Sequence, residues 1–209
     1  SEDLAAQMAR RNSGGEDDGP SRMLTGYVKG ISMPDLSVFG VKRPDRFGRG
    51  GDHLPALELG FPAIRFTVGV ENYNHQHQDL RTENGIEYGD TVDKMDFDYL
   101  AKVTALNITA ASHLALAPPA PESATLGGAV SSDTKVSWTP VKGGGVTGYV
   151  ILYKPADGES EWKQAAFVEG AGASETVLKG IIVDDHFFAV AAMGKDQSIA
   201  TFAGLPPKK

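Results

Sequence analysis

Two groups of side chains in this chain are suited to holding a metal ion or moving a proton. One is the pair Asp52-His53, inside Arg49-Gly-Gly-Asp-His-Leu-Pro-Ala-Leu-Glu-Leu-Gly-Phe-Pro-Ala-Ile-Arg-Phe-Thr67. The other is His75-Gln-His-Gln-Asp79, inside Glu71-Asn-Tyr-Asn-His-Gln-His-Gln-Asp79. Carboxylates and neutral imidazoles bind divalent cations and also act as general acids and bases. The sequence contains no cysteine, so disulfides and thiolate metal sites are both excluded. Any metal here has only nitrogen and oxygen ligands to choose from.

These groups need elements to hold them. Pro55 to Leu59 is expected to be a short helix, with Pro55 in its first turn and Gly60 at its stop. Asp52, just before it, suits an N-cap, and a place beside the site is equally open to it. Residues 62–68 are apolar enough to be predicted as a strand buried on both faces. The His-rich stretch is then the loop leaving that strand. Residues 36–41 predict another strand, residues 21–29 a short helix, and residues 1–11 a helix with Leu4, Ala5 and Met8 on one face. Residues 12–20 are a loop by composition. Residues 96–117 carry the clearest helical period. Asp96 is the expected N-cap, and Tyr99, Leu100, Val103, Leu106, Ala110 and Leu114 form the apolar face. His113 is expected on the helix surface. Arg65 is expected to pair with an acid, and Arg46 and Arg49 to be surface residues of a Gly-rich loop.

Ala117-Pro-Pro-Ala-Pro121 ends that helix and predicts a stiff linker. Beyond it the period changes to alternation, in Lys135–Trp138, Gly148–Tyr153, Glu161–Phe167, Thr176–Leu178 and His186–Ala192, with Gly-, Asp- and Pro-rich turns between. Short strands at this spacing predict a β-sandwich. Gly143 to Gly145 read as a flexible turn, and Trp162 as an edge aromatic covering its own core. The expected division is 1–116, an α/β portion; 117–121, the linker; and 122–209, an all-β immunoglobulin-like sandwich.

A chain of 209 residues has room for one large or two small domains. Its 41% hydrophobic and 22% charged composition is that of a folded protein rather than a disordered one. A net charge of −7 argues against nucleic acid as a partner, because phosphate binding is driven by clustered Lys and Arg. No apolar run is long enough for a membrane helix. The chain opens without a signal peptide or an initiator methionine, which suggests a fragment or a processed product.

Residues 1–116 resemble the C-terminal part of the co-catalytic di-zinc aminopeptidases, the family related to the glutaminyl cyclases. The match is carried by the Asp52-His53 turn, the apolar segment and the His75…Asp79 spacing. The resemblance implies the α/β sheet-and-helix fold of a zinc exopeptidase, two zinc ions and peptide substrates trimmed from the N-terminus. In this family two metals sit about 3.5–4 Å apart across a bridging water. The resemblance makes His75 the last metal ligand, with His77 the alternative. It puts Asp52, His53, Tyr73 and Asn74 around the metal site or in the substrate pocket. The family's remaining ligands and its catalytic Glu precede this segment, so no catalytic residue is expected here. The chain alone is expected to be inactive and to need a companion, the N-terminal half of the same peptidase. Residues 119–205 resemble a fibronectin type III module through Trp138, Tyr149, Tyr153, Phe188, Val190 and Ala192. His186 departs from it, standing where such modules usually have a corner tyrosine.

Enzyme architecture of this kind implies export, to a bacterial periplasm or outside the cell. Two other readings stay open: a non-catalytic binding or scaffold protein, and a cyclase-like acyltransferase on the same fold. Cyclases usually carry a Trp where Asn74 stands, which favours the peptidase.

Overall fold

The computed structural model describes residues 5, 19–31, 33–41, 46, 48–143, 145–157 and 160–195. The expected helix at 1–11, most of the loop at 12–20 and the end of the sandwich beyond 195 lie outside the described residues.

The elements run in chain order as helix α1 (Pro20–Gly30), helix α2 (His53–Glu58), strands β1 (Arg81–Glu83) and β2 (Ile86–Tyr88), helix α3 (Phe97–Leu116), and strands β3 (Ala124–Gly127), β4 (Thr134–Trp138), β5 (Gly148–Pro155), β6 (Lys163–Glu169), β7 (Glu175–Leu178) and β8 (His186–Met193). Single 3-10 turns lie at Val92–Lys94 and Val183–Asp185.

Pro20 opens α1 at a position where its missing N–H costs nothing. The expected cap of α3 forms: the Asp96 carboxylate accepts from the Tyr99 N–H at 2.9 Å. Of the expected apolar face, Leu106 and Ala110 are fully buried, while Leu100 stays largely exposed. Leu106 and Ala110 join Val28 of α1 in a small core. Leu36, Val38, Ile64 and Phe66 pack against its rim. His113 is exposed as expected, and its ring also bonds the Tyr27 hydroxyl at 3.0 Å, tying α3 to α1.

The two strands predicted at 36–41 and 62–68 do not form as ladders. Both segments carry no regular secondary structure and pair with no strand among the described residues. Segment 62–68 is not buried on two faces either: Ile64 and Phe66 turn toward the small core, while Val68 and Arg65 are exposed. Alternate residues facing inward are the habit of a strand, but a ladder needs a neighbour within about 5 Å. Apolar composition identified segments suited to burial; it carried no information on what would cover them. This is the one clear correction to the α/β expectation.

The hairpin β1–β2 was not expected. It pairs Arg81 with Tyr88 and Glu83 with Ile86, around Asn84 and Gly85 at φ 51° and 77°. Two left-handed residues make a type I′ turn, the one that matches strand twist. The Asn-Gly dipeptide is its sequence signal.

The β strands after residue 123 form two three-stranded antiparallel sheets, ordered β3-β4-β7 and β6-β5-β8. Val136, Trp138, Tyr149, Ile151, Leu178, Phe188, Val190 and Ala192 fill the space between them. Consecutive strands crossing between the sheets is the immunoglobulin-like arrangement. β6 begins at Lys163, so Trp162 falls just before it rather than on the edge strand. Its ring and that of Phe187 lie 5.5 and 5.4 Å from the ammonium of buried Lys154.

His186 keeps the corner that its residue type had put in doubt. Its Nδ1 lies 2.9 Å from the carbonyl of Ile182, four residues upstream. An imidazole thus makes the backbone bond that the usual tyrosine hydroxyl makes.

Candidate functional site

The turn bearing Asp52 and His53 starts from two glycines. Added to Gly51, a Cβ would sit 2.8 Å from His53 Nδ1 and 3.3 Å from Arg65 Cδ. Only a bare backbone lets the imidazole fold back there, and His53 is 92% buried as a result, given its 8% exposure. Helix α2 begins at His53, two residues ahead of Pro55. Asp52 does not cap it. Its side chain makes no cap bond, and its φ of −64° with ψ −13° is helical rather than extended. The capping role expected for Asp52 is therefore corrected, and its exposed carboxylate is left to other work.

The His75 loop is a sequence of tight local bonds. Asn72 Oδ1 accepts from the Asn74 N–H at 3.1 Å, the short side-chain turn that Asn forms with its own backbone. The Asn72 Nδ2 lies 3.1 Å from His75 Nδ1. With Oδ1 already engaged, the amide donates and Nδ1 accepts, so the ring proton belongs on Nε2. His75 is half-buried. His77 is exposed and sits at φ +54°, with its backbone N–H on the Asp90 carboxylate at 3.4 Å. Further bonds, Gly89 N–H to Asn74 O at 3.0 Å and Asp90 N–H to Gln78 O at 3.3 Å, fasten the loop to the end of β2. Tyr73 is exposed, and the Arg49 guanidinium lies 5.9 Å from its ring centroid.

The turn and the loop are joined by Arg46 and Arg49, expected at the surface, and by Glu71, for which the sequence carried no expectation. Glu71, with a side chain only 9% exposed, takes Arg46 Nη1 on one oxygen and Arg49 Nη1 on the other, both at 2.8 Å. Arg49 Nη2 also donates to Gln76 Oε1 at 3.3 Å. Burial pushes the Glu71 carboxyl up, but the Gln76 amide and the charges of Arg46 and Arg49 outweigh it and hold the group below its usual range. Arg46 and Arg49 lie more than twenty positions from Glu71 in the chain, so no local pattern announced them. The only signal was a carboxylate opening the His-rich stretch.

Zinc does not fit these residues alone. Among the described residues no three His, Asp or Glu side chains converge in a way that could hold a metal ion. Tyr73, Asn74 and His75 share one loop, Asp52 and His53 share one turn, and the Arg46–Glu71–Arg49 clamp links the two. No helix among the described residues is long and apolar enough to cross a membrane.

No protein-family model matches the chain. It is 36% identical over 96% of its length to a protein named "Probable zinc metalloprotease" from Leptosphaeria maculans, spanning 48% of that protein. Proteins of the same name from Pyrenophora tritici-repentis and Pyricularia oryzae are 34% and 36% identical, and the chain spans 40% and 38% of them. The chain thus spans less than half the length of these relatives. They are fungal, so the bacterial source expected from the architecture gains no support. Among solved structures, the fn3 domain of the human collagen alpha-1(XX) chain is 23% identical, covers 44% of this chain and 90% of its own, and has a TM-score of 0.33. These relatives all carry the name of a zinc metalloprotease.

Proposed function

We propose that this chain is the C-terminal portion of a zinc-dependent aminopeptidase that removes N-terminal residues from peptides. The observation that carries the reading is the His75 loop, held by Glu71 against the turn that presents Asp52 and His53. In this reading 1–116 belongs to the peptidase domain, 117–121 is the linker and 122–209 is an appended sandwich. His75 is the metal ligand and His77 the alternative. Asp52, His53, Tyr73 and Asn74 surround the metal or line the substrate pocket. The names of the fungal relatives support the metallopeptidase level of the reading.

The companion is the N-terminal half of the same peptidase. Support comes from the two predicted strands that find no ladder partner among the described residues and from exposed apolar side chains in or beside them, Phe39 at 82% and Val70 at 91% exposure. The companion also supplies the other zinc ligands, for two ions in all, and the general base. Zinc there would polarise the scissile carbonyl and activate water. This chain's own part is to hold one imidazole and the pocket side chains in place. Secretion is the proposed location, on the strength of the peptidase-plus-sandwich architecture.

The test is release of amino acids from aminoacyl nitroanilides by this chain combined with the companion segment. Activity that is lost with a chelator and returned by zinc supports the reading. Activity indifferent to chelation sinks it, as does full activity from the 209-residue chain alone.

A further inference from the structure

We propose that Glu71 is the positioning residue that sets the His75 loop in register with the Asp52-His53 turn, and that Gln76 transmits its hold to the residue beside it. The proposal rests on the reading of His75 as a ligand only for its functional consequence; the clamp itself stands on geometry.

The carboxylate is nearly enclosed, and each of its oxygens takes a separate guanidinium at 2.8 Å. A carboxylate bridging two arginines fixes both in plane and distance, because guanidinium donors are rigid. Arg46 and Arg49 stand on the Gly-rich approach to Asp52. Arg46 Nη2 also reaches the Gly50 carbonyl at 3.4 Å, so the clamp grips the backbone of that approach directly. On the other side, Gln76 Oε1 takes Arg49 at 3.3 Å while its amide lies 3.5 Å from Glu71 Oε1. Gln76 follows His75 immediately. A ligand's ring must be held within a fraction of an ångström, and such support comes from the residues behind it. The side-chain bonds of Glu71 go to Arg46, Arg49 and Gln76, and that of His75 goes to Asn72. Glu71 acts on His75 through the loop.

The experiment is hydrogen exchange of backbone amides in the 209-residue chain, with ring nitrogen spectra of ¹⁵N-histidine-labelled protein. Three variants are compared: Glu71→Gln, Gln76→Ala and the control Glu175→Gln, which breaks the Lys135–Glu175 pair at 2.8 Å between β4 and β7. Glu71→Gln should raise exchange about tenfold in both 48–53 and 73–77, since local protection tracks local opening. It should also shift the His75 ring signals, with exchange in the sandwich strands unchanged. Gln76→Ala should raise exchange in 73–77 only, and the control should change neither. Loosening of one loop alone by Glu71→Gln, or an unmoved His75 ring, overturns the proposal. So does an equal rise throughout the chain in both Glu71→Gln and Gln76→Ala.

A second arm separates the clamp from the ligand reading. Cobalt(II) binding to the chain joined with its companion is measured for His75→Ala and Glu71→Gln. Loss of binding in the first and several-fold weakening in the second support both ideas. Unchanged binding in His75→Ala overturns the ligand reading, while the exchange result still decides the clamp.

Discussion

The imidazole of His186 reaches the carbonyl of Ile182 at 2.9 Å, closing the corner that leads into strand β8. A carbonyl only accepts, so Nδ1 is the donor. The ring also lies 5.4 Å from Tyr153 and 6.2 Å from Phe188, centroid to centroid. His186→Ala removes the bond and both ring contacts. It should cost about 1–2 kcal/mol in urea unfolding followed by Trp138 fluorescence. His186→Tyr restores a donor of the usual length and should lie near the parent. Equal losses in both variants would mean the corner bond contributes nothing.

Tyr149 offers a sharper case. Its ring is buried and its hydroxyl donates to the Ala171 carbonyl at 3.0 Å while accepting from the Val141 N–H at 2.8 Å. Tyr149→Phe keeps the ring packing, including the tilted contact with Trp138 at 5.1 Å. It leaves a donor and an acceptor without partners, at a cost of about 1–3 kcal/mol. An unfolding midpoint within error of the parent would contradict this.

How far the sequence carried depended on whether a signal was local. The Asp96 cap, the run of α3 and the strands around Trp138, Tyr149 and Phe188 all followed from spacing within a few residues. Their partners are near in sequence or set by alternation. The Glu71 clamp was invisible because its members lie 22 and 25 residues apart and meet only through the fold. Segment 62–68 was misjudged for a related reason: its apolar residues declare a need for cover without naming the cover. By residue type Asp52 suits a cap as well as a place beside the site, and its helical backbone angles rule out the cap.

Acid should weaken the sandwich through Asp133. The Lys179 ammonium, bonded to it at 2.8 Å, and the Gly180 N–H at 2.9 Å hold its carboxyl below the usual range. A folded-state value below the unfolded one, about 3.9 for Asp, gives stability that is complete above that value. It is lost as the pH falls from there through the folded value. Asp133→Asn should therefore lower stability at neutral pH and flatten the fall below about pH 4. Urea midpoints at pH 7 and pH 3 for both proteins check this; parallel pH profiles would contradict it.

Gly51→Ala tests the Asp52-His53 turn. The new methyl would meet His53 Nδ1 at 2.8 Å and Cε1 at 3.0 Å, closer than real contacts. The imidazole is buried and has little room to yield. Overpacking of this kind costs about 1–3 kcal/mol. Exchange at 49–58 should rise while strands β3 to β8 keep their protection. Unaltered exchange at the turn would show that His53 moves aside freely.

The choice between the two loop histidines is open to a direct measurement. His75 is half-buried, and its Nδ1 accepts from the Asn72 amide at 3.1 Å; zinc on Nε2 would put the ring proton on Nδ1, so the Asn72 amide would have to turn its Oδ1 toward the ring to accept it. His77 is exposed, with a left-handed backbone at φ +54° and only its N–H tied down, to Asp90. A ligand imidazole is generally oriented by a bond at its other nitrogen. Of the two, His75 has a ring partner among the described residues that could take this role once the Asn72 amide turns, while His77 is bonded through its backbone N–H. In the complete assembly, His75→Ala should therefore lose zinc at that position, while His77→Ala stays within a few-fold of the parent. Asn72→Ala, which releases the ring without removing it, should fall between them. Zinc content after dialysis against a weak chelator gives the ranking. If His77→Ala proves the more damaging, the assignment passes to His77 and the Asn72 contact is merely a feature of the loop.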